Sequence, residues 1–144
     1  MMRARPVQIV LLLIGVTPAA CGISDPQQPS GSWNVTITGA FDYAALSGSA
    51  GVASQYGSTT AVLRVAGYPN ATFTWRLHHG TCDAPGNGIG VEGRYPPLEL
   101  GAQAEAEETA HINQMLDRNG EFALLVRSPA GTVAGCGALD PFRP

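Results

Sequence analysis

The chain has 144 residues, of which 8 are basic and 11 acidic, for a formal net charge of −3. Every basic residue is an arginine, and the arginines stand singly along the chain, so no basic stripe exists to neutralise phosphates and nucleic acid is excluded as an expected partner. No segment has the pattern of an amphipathic membrane-surface helix, and neither an internal repeat nor a second domain is visible.

The first twenty residues have the parts of an export signal. Arg3 and Arg5 form a short positive region, Val7 to Val16 is almost wholly apolar, and Thr17-Pro18-Ala19-Ala20 brings small residues up to Cys21. The apolar run is too short to cross a hydrocarbon core of about 30 Å as a helix. An ordinary secretory signal, cut after Ala19 or Ala20, is one reading. The sharper one is a bacterial lipobox, with Cys21 as the lipid-bearing first residue of the mature chain; Pro18 departs from it, because an aliphatic residue is usual there. The segment that follows, Gly22 to Ser32, is polar, turn-rich and aperiodic, as expected of a flexible tether over 21–32. Removal of residues 1–20 takes Arg3 and Arg5 away, leaving six basic against 11 acidic residues and a net charge of −5. The remainder, 33–144, suffices for one domain with one core.

Three cysteines become two once Cys21 carries lipid. Cys82 and Cys136 are then left in an oxidising compartment, where a disulfide is expected and two separate buried thiols are the alternative.

The domain reads as all-β. Trp33, Val35 and Ile37 alternate with polar residues, which predicts a half-buried strand. Phe41 to Leu46 is a second short element. Ser47 to Ser58 is rich in Gly, Ser and Ala and reads as a long mobile loop. Ala61, Leu63 and Val65 mark another strand, and Gly67-Tyr68-Pro69-Asn70 a turn. Phe73, Trp75 and Leu77 alternate in the next strand, and Gly80 to Pro97 reads as loop. Leu98 to Ile112 is expected as a strand on the period-two spacing of Ala102, Ala104 and Ala106. Ile112 to Arg118 reads as one helical turn closed by Asn119-Gly120. Phe122, Leu124 and Val126 share the face of a further strand, Ser128 to Gly131 is a turn, and Thr132 to Leu139 is the last strand. Short strands separated by turn clusters predict a single immunoglobulin-like or Greek-key β-sandwich with one short helical turn.

Chemistry-bearing residues are sparse. His78 and His79 are adjacent, and on an extended strand neighbours point to opposite faces, so they do not readily chelate one ion together. His111 is the only other histidine, and Asp83, Glu107, Glu108 and Asp140 are the candidate oxygen donors. Glu105 and Glu107 share a strand face, so they read as a solvated acidic face and not as a carboxylate pair across a cleft. Ser128 is not on a nucleophile elbow, and Gly86-Asn87-Gly88-Ile89-Gly90 lacks the following helix that a phosphate loop needs. A convergent catalytic set, a metal centre and a cofactor are therefore not expected. Tyr68, Trp75 and Tyr95 are candidates for small-ligand or glycan contacts, although the alternation of Trp75 with Phe73 and Leu77 places it in the core.

Two stretches, Trp75-Arg76-Leu77-His78-His79-Gly80-Thr81-Cys82 and Val133-Ala134-Gly135-Cys136-Gly137-Ala138-Leu139, together resemble the superoxide-dismutase-like and CHRD-like group of exported β-sandwich domains. Gly120 to Ser128 resembles the penultimate strand of that group. The resemblance covers roughly residues 72–140, and it implies the sandwich fold and a Cys82–Cys136 bond. In metal-binding members a His-x-His pair supplies two copper ligands. Here Arg76 stands where the first histidine would be, His78 aligns with the second, and Arg127 stands where a valine–histidine pair ends in many CHRD-like members. Arginine stays protonated and repels a cation, so the copper chemistry is not expected to carry over. The expected function is that of a non-catalytic cell-envelope lipoprotein on the periplasmic or extracellular face, with the membrane as partner through its lipid. The alternative is a copper- or zinc-binding protein using His78, His79 and His111.

Overall fold

The computed structural model describes residues 31–141; the signal segment, Cys21 and the tether up to Ser30 lie outside the described residues. The fold is all-β. Among the described residues nine strands follow in order: β1 (Gly31–Gly39), β2 (Ser47–Gln55), β3 (Ser58–Ala66), β4 (Thr72–Gly80), β5 (Pro85–Gly88), β6 (Leu98–Glu99), β7 (Glu105–Ile112), β8 (Phe122–Arg127) and β9 (Val133–Pro141). One hydrogen-bonded path runs β5-β4-β8-β9-β1-β2-β3-β7, with β6 paired to β4. The connections are of Greek-key type: after the β1-β2-β3 meander the chain crosses to β4, beyond β9 and β8, and β7 later returns to pair with β3.

The sheet curls so that both halves close over one core. Val52 and Leu63 from one half and Trp75, Leu77 and Leu124 from the other belong to a single buried cluster. Trp33 of β1 meets Phe122 of β8 edge to face at 6.2 Å, although β9 lies between those strands in the sheet. At one end Phe73 of β4 packs against Tyr43 at 5.7 Å and Tyr68 at 6.5 Å, which ties the turn after β3 to the segment after β1. The alternations around Trp33, Ala61, Phe73 and Phe122 all put their apolar faces into this core.

Four local expectations are corrected. Ser47 to Ser58 is not a mobile loop: Ser47–Gln55 is β2, paired along its length with β1 and β3, and only Tyr56-Gly57 remains as the hairpin turn. Its composition is poor for a strand, but Ala50, Val52 and Ser54 alternate inward, and two flanking strands override the weak propensity. The small residues have a packing reason as well, since a Cβ on Gly48 would run into the Arg64 carbonyl of β3. Second, Ile112 to Arg118 is not helical. Ile112 ends β7, and the next residues bend at Asn113-Gln114 and are held as an irregular segment by side chains of the β2–β3 hairpin. The Thr59 hydroxyl donates to the Gln114 carbonyl at 2.7 Å, and the Leu116 N–H donates to Ser54 Oγ at 2.9 Å. Ser54 and Thr59 are buried, so these bonds satisfy polar groups that would otherwise be costly. The short helical turns lie instead at Phe41–Tyr43, within the short element expected there, and at Glu92–Arg94, both of 3-10 type.

Third, the expected strand over Leu98 to Ile112 is two pieces. Ala104 has a left-handed φ of 57°, and a turn from Gly101 to Ala104 separates β6 from β7, so the alanine spacing does not mark a strand face. Fourth, Gly80 to Pro97 contains β5, which folds back on β4 with Gly88 opposite His78. Ile89 and Tyr95 from this stretch are buried.

Candidate functional site

The side chains of β4 alternate, so Phe73, Trp75 and Leu77 enter the core while Thr74, Arg76 and His78 face outward. Registered partners share a face, which places Arg127 of β8 beside Thr74, Leu125 beside Arg76, and Ala123 beside His78. Cys136 of β9 lies next to Leu125 in the same row. Leu125 and Ala123 are fully buried although they point away from the core, on the face that the stretch between β4 and β6 reaches at Cys82. Cys82 in that stretch and Cys136 bring their sulfurs to disulfide-bonding distance, with Cα atoms 5.9 Å apart.

Arg76 is the centre of this face. It is half-buried, and its guanidinium donates through Nε to the Ile89 carbonyl at 3.4 Å and through Nη2 to the Gly90 carbonyl. The guanidinium passes over Gly88, where a Cβ would collide with it, so glycine at that position is what lets the arginine reach across β5. Tyr95 seals the inner side: its hydroxyl donates to the Ile89 carbonyl at 2.9 Å and its ring meets Trp75 edge to face at 5.2 Å. The Trp75 indole N–H donates to the Pro96 carbonyl at 2.7 Å. Together these bonds pin the 89–96 segment along the edge of β4, with Ile89 and Tyr95 in the core cluster.

Burial pushes the Tyr95 hydroxyl up to about 12 from an ordinary 10.0, while the Leu77 backbone and the Arg76 charge pull the other way. The unfolded chain would ionise this phenol near 10, so its stabilising contribution is complete below that pH and is lost as pH rises from about 10 to about 12. Urea unfolding should therefore show stability falling as pH rises from about 10 to about 12, and Tyr95→Phe should remove part of that fall. An equal fall in the variant would mean that other groups cause it.

The histidines do not meet. His78 is half-buried, with Nδ1 3.0 Å from the Gly86 carbonyl, so that nitrogen carries the proton as donor. His79 has the inward parity but sits at the exposed end of β4, its ring 5.5 Å from that of Phe122. His111 faces outward on β7, its Nδ1 3.2 Å from Thr60 Oγ1 of β3. Among the described residues no three His, Cys, Asp or Glu side chains are grouped as metal ligands would be. Glu105 and Glu107 share the exposed face of β7, and Glu107 pairs with Arg64 of β3. Ser128 is buried and its hydroxyl lies 2.7 Å from that of Thr132, within the turn before β9.

Arg76, His78, Trp75, Tyr95, Glu92 and Arg127 line a cleft of about 310 Å³ between the outer face of β4 and β8 and the Glu92–Arg94 turn. Arg76 and Arg127 were visible in the sequence only as replacements for expected ligands. Their convergence with Glu92 and Tyr95 depends on the fold-back of residues 85–97, for which the sequence carries no periodic signal. No protein-family model matches the chain, and no curated protein sequence matches it.

Proposed function

We propose that this chain is a non-catalytic cell-envelope lipoprotein: exported by residues 1–20, held to a membrane through lipid on Cys21, and presenting its β-domain on the periplasmic or extracellular face as a structural or interaction module. The observation that carries the non-catalytic part is Arg76. It occupies the position where the superoxide-dismutase-like resemblance puts a copper ligand, and it serves there as a bracket for the Ile89 and Gly90 carbonyls. A fixed cation in that place opposes a second one. The all-β Greek-key fold is in keeping with the resemblance, but such folds host many functions and carry no activity by themselves. Without a basic stripe in the sequence, nucleic acid is not among the proposed partners.

The anchor rests on the sequence of residues 1–32. Each buried methylene of a lipid chain contributes about 0.8 kcal/mol, and two chains hold a protein stably. Cys21→Ser should move the protein from the membrane fraction to the soluble fraction, with the folded domain unchanged. A wild-type protein already found in the soluble fraction would refute the lipobox reading while leaving the domain's chemistry untouched.

A further inference from the structure

We propose that the tip of the β2–β3 hairpin, with Tyr56 at its apex, seats in the lipid–water interface of the membrane and stands the domain on that end. This rests on the reading of Cys21 as the lipid-bearing residue. The strand register decides which end of the domain is near the bilayer. Gly31, the first residue of β1, lies opposite Ser54, Ser54 opposite Thr59, and Thr59 opposite Ile112, so the four form one row across β1, β2, β3 and β7. The Tyr56-Gly57 turn projects beyond that row. Residues 21–30 connect Cys21 to Gly31, and ten residues span at most about 35 Å. A lipid on Cys21 therefore keeps the hairpin tip within reach of the bilayer.

The tip has the chemistry of an interfacial contact. Tyr56 is 88% exposed, and its φ of 51°, followed by 82° at Gly57, gives the two left-handed residues of a tight hairpin turn. Asn, Asp or Gly is the ordinary choice at the first of these positions; a bulky side chain is disfavoured there, and the core makes no use of this ring. A tyrosine carries an apolar body and a polar hydroxyl, the combination that collects where hydrocarbon meets headgroups. The surroundings suit such a place. Gln55 to Thr60 is uncharged, and so is Asn113 to Met115, which the Thr59–Gln114 bond of 2.7 Å holds against the hairpin. Val91, also exposed, joins this end: its neighbour Gly90 donates to Gln114 Oε1 at 3.3 Å and lies against Ile112.

Among the described residues the other exposed aromatic side chain, Phe41, is at the far end. It follows β1, whose 9 residues at about 3.3 Å each put the two ends of that strand about 26 Å apart. Asp42 stands beside Phe41, and the row at that end runs from Thr38 through Ser47 and Ala66 to Glu105, so an anionic membrane surface disfavours it. One ring is too little to hold a protein on a bilayer by itself. The lipid supplies the attachment and makes the tyrosine contact intramolecular, and a weak contact is then enough to set the orientation.

The test uses the full lipidated chain, purified from membranes and reconstituted into vesicles of phosphatidylethanolamine and phosphatidylglycerol with brominated acyl chains. Tyr56→Trp and Phe41→Trp each add one indole to the same background, because Trp33 and Trp75 are both buried. The emission added by Tyr56→Trp should be quenched at least about twofold more strongly than that added by Phe41→Trp. In wild-type protein in nanodiscs, a headgroup spin label should broaden the amide signals of Gln55 to Ser58 most, and Tyr56→Ser should level that gradient while the lipid keeps the protein in the membrane fraction. Equal quenching at the two ends, stronger quenching in Phe41→Trp, or a gradient unchanged in Tyr56→Ser would overturn the proposed orientation and leave the lipid anchor standing. A wild-type chain that stays out of the vesicle pellet would overturn the anchor and this proposal together.

Discussion

Replacing Cys82 and Cys136 together by alanine should lower the unfolding free energy by about 4 kcal/mol. The bond closes a loop across a sequence separation of 54, and the chain-entropy model assigns a crosslink of that length roughly this contribution. A single domain is stable by only about 5–15 kcal/mol, so the loss would take a large share of the total. Urea unfolding of the double variant, compared with the oxidised wild type, measures it. A change below about 1 kcal/mol would contradict a chain-entropy contribution of this size.

Leu77→Ala should be of similar size, about 2–5 kcal/mol. Leu77 is fully buried near the middle of β4, opposite Leu124 and on the opposite face from the Arg76 cleft. Truncation removes apolar contact and leaves a cavity between two strands whose pairing limits collapse. Val91→Ala provides the contrast, because Val91 is 69% exposed and its loss should stay within about 0.5 kcal/mol. Equal losses at the two positions would contradict the assignment of the core.

The sequence patterns that survive are those with strong contrast. Trp33-x-Val35-x-Ile37 and Phe73-x-Trp75-x-Leu77 put large apolar groups at every second position, and each became a strand with the expected face buried. β2 was missed because its inward residues, Ala50, Val52 and Ser54, barely differ in size from its outward serines and glycines; its strand character comes from β1 and β3, not from itself. The residues after Ile112 were missed for a related reason. Their helix-like composition loses to hydrogen bonds from Ser54 and Thr59, residues more than 50 positions away. At the candidate site, Arg76 could be singled out from the sequence, but its carbonyl partners at 89 and 90 could not, because the fold-back of β5 rests on glycines that leave no hydrophobic pattern. Phe122, Leu124 and Val126 were legible as one face, whereas the burial of Leu125 on the other, beside Cys136, has no signal in the alternation.

We propose that arginine stands in place of the metal chemistry that the resemblance would otherwise imply. This is tested most directly by loading the purified mature protein with excess copper or zinc, desalting it, and measuring bound metal per chain together with superoxide dismutation. Far less than one equivalent and no dismutation are expected. One equivalent of metal that survives desalting and is lost in His78→Ala, His79→Ala or His111→Ala would contradict it and establish a metal site in its place.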